Sequence, residues 1–235
     1  MSGREVADLQ AIADAIVAEA QPGEQIAAYL GRSSETDIRV RNQEIEHFVS
    51  AQSQSVSVTV IVDGRTGASS AGAFDETSWR EVLAEARENA TFGTPDEYAG
   101  LAEPDGVAIV EQKLWDDDLA AFPTDKKIEI AKELERLVLA EDSRIRIDDV
   151  NYSDGSTEEA SATTLGIRSS SRSNSCYATV SVLVDDNGET QTGWAYALGD
   201  SPLLFDLPTA ARTAAVRATR LLGAVKPASK VTTVV

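Results

Sequence analysis

The only histidine of the chain, His47, lies in Glu44-Ile45-Glu46-His47-Phe48. Glu44 and Glu46, two apart on a strand, share a face, and with His47 they could approach a cation. A lone strand histidine beside acids is more often a solvated or hydrogen-bonded side chain. No His-Glu-x-x-His and no cysteine pair occurs, so zinc catalysis by this chain alone is not expected. A Ser-His-Asp triad would also have to use His47, and no Gly-x-Ser-x-Gly elbow accompanies it. The run Ser169-Ser170-Ser171-Arg172-Ser173 is too repetitive to single out a nucleophile and reads as a solvated strand edge or turn. The single cysteine, Cys176, opens a β-run with no evident base near it, which suits a half-buried structural thiol. Asp116-Asp117-Asp118 lacks the spaced oxygen ligands and the glycine of a calcium loop, and reads as a solvated charge run. Gly64 and Gly67 belong to a hairpin, because no helix start follows them as a phosphate loop requires. Trp79, Trp115 and Trp194 are expected as core or interface aromatics. No catalytic, cofactor-binding or metal-ligating residue is assigned.

The elements that would position such residues are read from periodicity. Val6, Leu9, Ile12, Ala13, Ile16 and Val17 recur at helical spacing and end at Gln21-Pro22-Gly23. The period then becomes two at Ile26, Ala28 and Leu30, at Ile38 and Val40, and clearly at Val56, Val58, Val60 and Val62, with a less regular strand around Ile45, Phe48 and Val49. Asp63-Gly64-Arg65-Thr66-Gly67 reads as a hairpin turn, with Ala68 to Ala73 returning. A helix capped by Asp75 or Thr77 carries Trp79, Val82, Leu83 and Ala86 on one face and closes at Phe92-Gly93-Thr94-Pro95. Residues 93–123, rich in Pro, Gly and Asp, read as a connecting arm. A second helix follows through Ile128, Ala131, Leu134, Leu137 and Val138, then Ile145, Ile147, Val150 and Tyr152, then a polar stretch to Thr164. Ser175 to Val184 is a strand, Asp185-Asp186-Asn187-Gly188 a turn, Thr190 to Ala197 the returning strand, and Leu207 to Leu222 a last helix.

The two halves resemble each other. Superposing Asp63 on Asp185 carries Val58, Val60, Ile61 and Val62 onto Val180, Val182, Leu183 and Val184, and Val6, Ile12 and Ile16 onto Ile128, Leu134 and Val138, without a gap. The expected fold is α+β, an antiparallel sheet with helices on one face, with an internal duplication of a helix–strands–helix unit. Residues 1–225 would form one domain, with pseudo-repeats at about 1–92 and 124–223 joined by the acidic arm 93–123.

The chain has 235 residues and a formal charge of −18. Residues 75–159 contribute −15 of that, residues 1–74 contribute −5, and residues 160–235 contribute +2. A negative surface repels nucleic acid and anionic membranes, so neither is expected as a partner. No stretch approaches the ~18 apolar residues of a membrane span, and no signal-peptide layout opens the chain. One cysteine forbids an intrachain disulfide and fits a reducing compartment, which suggests a cytoplasmic protein.

The run Ser55-Val56-Ser57-Val58-Thr59-Val60-Ile61-Val62-Asp63-Gly64-Arg65-Thr66-Gly67-Ala68-Ser69-Ser70 resembles the N-terminal domain of the TldD/PmbA family. Arg39-Val40-Arg41-Asn42-Gln43-Glu44-Ile45-Glu46 is similar to that family's V-R-x-G-E-I-E segment. Thr94-Pro95-Asp96-Glu97-Tyr98-Ala99-Gly100-Leu101-Ala102 looks like the connecting segment of the PmbA (TldE) branch. Tyr152-Ser153-Asp154, the serine-rich run before Cys176, and the end Arg220-Leu221-Leu222-Gly223-Ala224 continue the likeness over nearly the whole chain. The resemblance implies a subunit of a cytoplasmic metalloprotease in which TldD carries a His-Glu-x-x-x-His zinc site and PmbA/TldE pairs with it as a heterodimer without binding metal. It further implies unfolded peptides as substrates and a role in leader-peptide maturation. The family's older name, modulator of DNA gyrase, gains no support from the acidic surface. Family members are about twice as long, so Lys226 to Val235 is expected to begin a C-terminal domain that is missing here, and residues 1–235 match no zinc motif. No cofactor is expected in this chain, zinc belonging to the TldD-like partner. Two alternatives stay open: an acidic stand-alone protein-binding module, and an N-terminal fragment of a zinc-bearing TldD-like peptidase.

Overall fold

A computed structural model describes residues 4–108, 110 and 112–233, the side chains of residues 4–7 excepted. The expectations placed on Met1 to Gly3, on the side chain of Val6, and on Val234 and Val235 lie outside the described residues. The chain runs through α1 (Arg4–Ala18), β1 (Gln25–Arg41), β2 (Glu44–Val62), β3 (Arg65–Ala71) and α2 (Glu76–Phe92). An irregular arm holding the single-turn α3 (Asp117–Ala120) leads to α4 (Thr124–Glu141), β4 (Ile145–Thr163), β5 (Arg168–Asp186), β6 (Glu189–Gly199) and α5 (Leu207–Thr219). The strands form an antiparallel six-stranded sheet of order β3-β2-β1-β4-β5-β6. None of the described helices is long and apolar enough to cross a membrane.

Four of the strands are longer than their hydrophobic patterns suggest. β1 has 17 residues and β2, β4 and β5 have 19 each. The polar stretch before Thr164 is therefore strand, and the serine-rich run lies within β5 rather than in a turn. Strand backbone is held by ladder hydrogen bonds, which polar residues supply as well as aliphatic ones. Their side chains find partners across the sheet: Ser33 Oγ with Ser53 Oγ at 2.8 Å and Ser34 Oγ with Ser156 Oγ at 2.7 Å. At the C-terminal end α5 stops at Thr219, short of Leu222.

The chain divides into two compact units. The first comprises Met1–Thr36, Val49–Ala121 and Asp154–Ser175. Its core joins Leu9, Ala13 and Ile16 of α1 and Trp79, Val82, Leu83 and Ala86 of α2 to Ile26, Ala28, Leu30, Val56, Val58, Val60, Ala160 and Ala162. All the strand members are even-numbered, so both helices cover one face of the sheet. Asp75 is the cap of α2, its side chain accepting from Ser78 N at 3.0 Å. Close packing of α2 on β3 depends on Gly67. A Cβ there would lie 2.2 Å from Ala86 O and 2.1 Å from Ala90 N.

The second unit comprises Asp37–Phe48, Phe122–Ser153 and Cys176–Val235. Its buried residues include Ala131, Leu134 and Val138 of α4, Ala210, Ala211, Ala214 and Ala218 of α5, and Ile38, Val40, Val150, Tyr152, Val180, Val182 and Val184. Glu135 of α4 is fully buried and closes the β1–β2 turn. Its Oε1 accepts from Asn42 N at 2.7 Å, and its Oε2 accepts from Gln43 N at 2.7 Å and Gln43 Nε2 at 2.8 Å. Asn42 and Gln43 both have left-handed backbone, with φ of 54° and 60°. The carboxylate therefore satisfies two amides in a turn whose left-handed backbone suits Asn42 and is unfavourable for Gln43.

The order helix, three strands, helix occurs in both halves. Val60 pairs with Gly67, and Val182 with Gly193, whose absent Cβ would meet Ala214 O at 2.0 Å. Two residue pairs separate Val60–Gly67 from its turn, but four separate Val182–Gly193 from its own. The turn residues with positive φ are Asp63-Gly64 in one hairpin and Asn187-Gly188 in the other. A gapless superposition of Asp63 on Asp185 is thus corrected: the second hairpin is extended by two residues on each arm.

Candidate functional site

In the first unit the sheet face beneath the helices changes chemistry at one level. Along β1 the even positions pass from Ile26, Ala28 and Leu30 to Arg32 and Ser34. Along β2 they pass from Val60, Val58 and Val56 to Gln54 and Gln52, and along β4 from Ala162 and Ala160 to Glu158 and Ser156. These polar residues, with Ser33, Ser53, Gly72 and Trp115, line an open cavity of about 570 Å³. That volume is within the roughly 300–1,000 Å³ of small-molecule sites.

The floor is organised by cross-strand pairs. Arg32 Nε lies 2.9 Å from Glu158 Oε2, and Glu158 keeps only 5 % of its side-chain surface. A carboxylate buried to this depth needs a charged partner, and Arg32 supplies it. Ser34 and Ser156 share their hydroxyl bond beside this pair. Gln54 Nε2 donates to Gly72 O at 3.0 Å, tying β2 to the end of β3.

The wall is Trp115, delivered by the connecting arm. Asn174 of β5 fastens the arm three times: its N donates to Leu114 O at 2.9 Å, its Nδ2 to Asp116 O at 2.7 Å, and its Oδ1 accepts from Asp116 N at 2.9 Å. The Arg172 guanidinium lies 4.7 Å from the Trp115 ring centroid, and Trp115 Nε1 donates to Asp117 Oδ1 at 2.8 Å. The indole is therefore oriented from several sides. On β1, Tyr29 has its phenol pushed up to about 12 by burial and by the hydrogen bond and charge of Glu159 on β4, so it stays protonated at neutral pH.

The residues singled out from sequence are scattered. His47 is exposed on β2, and Glu46 is engaged by Arg41 Nε at 2.9 Å. No group of three or more His, Cys, Asp or Glu suited to a metal ion occurs among the described residues. With a single exposed imidazole and no converging carboxylates, this donor set does not fit the zinc site that the resemblance implies for the family's catalytic branch. Cys176 is buried rather than half-buried, its Sγ 3.4 Å from Gly199 O. The Asp116-Asp117-Asp118 run is structural rather than simply solvated, because Asp116 Oδ1 caps α3 through Asp118 N at 2.8 Å and Leu119 N at 3.1 Å. Gly64 sits in the hairpin turn, while Gly67 admits α2. Trp79 is core, Trp194 is half-exposed against Tyr196 at 5.3 Å, and Trp115 is the one that lines the cavity. Arg32, Ser34, Gln52, Gln54, Ser156 and Glu158 were not singled out by motif. Their signal was the shared switch from aliphatic to polar at alternate positions of three strands. The lining offers serine hydroxyls and glutamine amides, which both donate and accept, around the Arg32–Glu158 charged pair.

Two family profiles match the chain. One, described as PmbA/TldA metallopeptidase domain 1, covers residues 27–90, and the other, PmbA/TldA metallopeptidase central domain, covers residues 117–222. The chain belongs to the PmbA/TldD family of metallopeptidase-like proteins. Among solved structures, it is similar to a protein described as a modulator of DNA gyrase from Bacteroides thetaiotaomicron (TM-score 0.78, 19 % identity, 96 % of this chain and 52 % of that one). A protein from Thermotoga maritima MSB8, described as a modulator of a DNA gyrase, gives a TM-score of 0.76 at 19 % identity over 97 % of this chain and 50 % of its own. TldE from Thermococcus kodakarensis gives 0.75 at 15 % identity, over 89 % and 46 %. At these identities the likeness shows the fold. No curated protein matches the chain. The chain spans about half the length of the solved structures it resembles.

Proposed function

We propose that this chain is the N-terminal part of a PmbA/TldE-like subunit that is non-catalytic by itself and works with a zinc-bearing TldD-like partner in a two-subunit peptidase. The pair would degrade unfolded peptides and trim leader peptides, in the cytoplasm. The observation that carries this reading is the match of both metallopeptidase domain profiles, over residues 27–90 and 117–222. A fold shared with TldE, together with the connecting segment Thr94 to Ala102, supports the branch. Nothing in the reading requires contact with DNA.

The test is co-expression of the full-length protein with and without a His-Glu-x-x-x-His partner, followed by peptide-cleavage assays with and without chelator. Cleavage only by the pair, abolished by chelator, is the expected result. About one tightly held Zn²⁺ on the full-length protein alone would overturn the branch assignment.

A further inference from the structure

We propose that the cavity bounded by Arg32, Gln52, Gln54, Ser156, Glu158 and Trp115 is a binding subsite for a short, extended, uncharged stretch of polypeptide. The proposal rests on the peptide-handling reading above and deepens it. The first argument is charge. Arg32 is the lining's cation and Glu158 its anion, and they are paired at 2.9 Å, so the site offers no net charge to an ionic ligand. The second is the kind of polar group. Serine hydroxyls and glutamine amides both donate and accept, which matches a peptide backbone carrying one donor and one acceptor per residue. The Ser34–Ser156 bond does not exhaust these groups, because each hydroxyl has one donor and two acceptor positions.

The third argument is spacing. Arg32 and Ser34, Gln52 and Gln54, and Ser156 and Glu158 each stand two apart on a strand, about 6.6 Å in rise. That is also the repeat of an extended peptide laid along the sheet face. A sugar chain repeats at a different spacing, and one face of the Trp115 ring already carries the Arg172 guanidinium. The fourth is rigidity. The three bonds from Asn174 hold the Trp115 wall in place, which lowers the entropy cost of closing on a weak, sequence-tolerant ligand.

The experiment follows amide and indole resonances of the ¹⁵N-labelled chain during titration with acetyl-tetraglycine-amide, the same peptide with a free carboxylate, and maltotetraose. Saturable shifts of the Gln52 and Gln54 side-chain amides and the Trp115 indole with the blocked peptide are expected. The double variant Gln54→Leu, Ser156→Val should weaken that binding by at least about tenfold. Thr192→Val, on the exposed side of β6, should leave it unchanged, and dispersed spectra of both variants verify the fold. Absence of saturable shifts with the blocked peptide overturns the proposal. So does binding of maltotetraose alone, or a preference of tenfold or more for the free carboxylate, which would mark an anion site at Arg32. Chelator-sensitive cleavage by the two-subunit assembly is a separate readout, so failure of the subsite and failure of the peptidase reading are distinguishable.

Discussion

Ser34 and Ser156 share a 2.7 Å hydroxyl bond and stand 122 residues apart. That is the separation at which Val60 and Val182 take equivalent places opposite Gly67 and Gly193. The same position of the two sequence halves is therefore brought into contact with itself, on neighbouring strands of the sheet. The polar floor of the cavity is built around this meeting point.

The Arg32–Glu158 pair should behave as a buried ion pair. Arg32→Met leaves the Glu158 carboxylate desolvated without its partner and is expected to destabilise the chain by about 3 kcal/mol. The double change Arg32→Met, Glu158→Leu should recover most of that loss, since the uncompensated charge is gone. Urea unfolding of the wild type, both single variants and the double variant checks this, and an additive result would deny the coupling.

Gly67 and Gly193 should tolerate alanine poorly although neither has a left-handed backbone. A Cβ at either site would come within 2.2 Å of a carbonyl of the covering helix, Ala86 O or Ala214 O. Each substitution should cost about 3 kcal/mol by pushing the helix from its edge strand. Gly72→Ala, where the nearest heavy atom is 3.8 Å away, is the matched control and should be near neutral.

Removing Glu135 should loosen the β1–β2 turn. Glu135→Ala strands the amides of Asn42 and Gln43, and a loss of roughly 2–4 kcal/mol is expected. Hydrogen exchange at those two amides should accelerate out of proportion to the rest of the chain. Unchanged protection there would show that the carboxylate is not what holds the turn.

Acid should destabilise the fold through paired carboxylates. Arg168 holds Asp14 below the ordinary aspartate range, Arg87 does the same for Glu24, and Arg144 brings Asp142 down to about 2. The unfolded chain takes up protons first, so this stability is complete above ~pH 5 and is lost as pH falls through ~4.5 toward 2. The urea midpoint should therefore drop between pH 7 and pH 3. Arg87→Met, which removes the Glu24 partner, should show a smaller drop than the wild type.

Local chemistry made much of the architecture readable. Asp75 as a cap, the hairpins at Asp63-Gly64 and Asn187-Gly188, and the helical faces of Leu9–Ile16 and Trp79–Ala86 all follow from residues close in sequence. Continuous strands through Arg32–Thr36 and Ser153–Glu159 were not readable, because polar side chains carry no period that announces a ladder. Cys176 read as half-buried, and its burial is set by packing that no local pattern encodes. Nothing local marks the carboxylate of Glu135, whose role depends on the turn at Asn42-Gln43 packing against it.

The sequence by itself determined the helices, the hairpin turns, the apolar parts of the strands, the acidic middle and the family, since periodicity, turn chemistry and motif order are properties of neighbouring residues. Only the tertiary structure decided that Arg32 meets Glu158, that Ser34 meets Ser156, and that Trp115 leaves its charged run to wall a polar cavity. Those contacts join residues from distant strands and the arm. Their pairing is set by sheet order and register, which a strand's own residues do not specify.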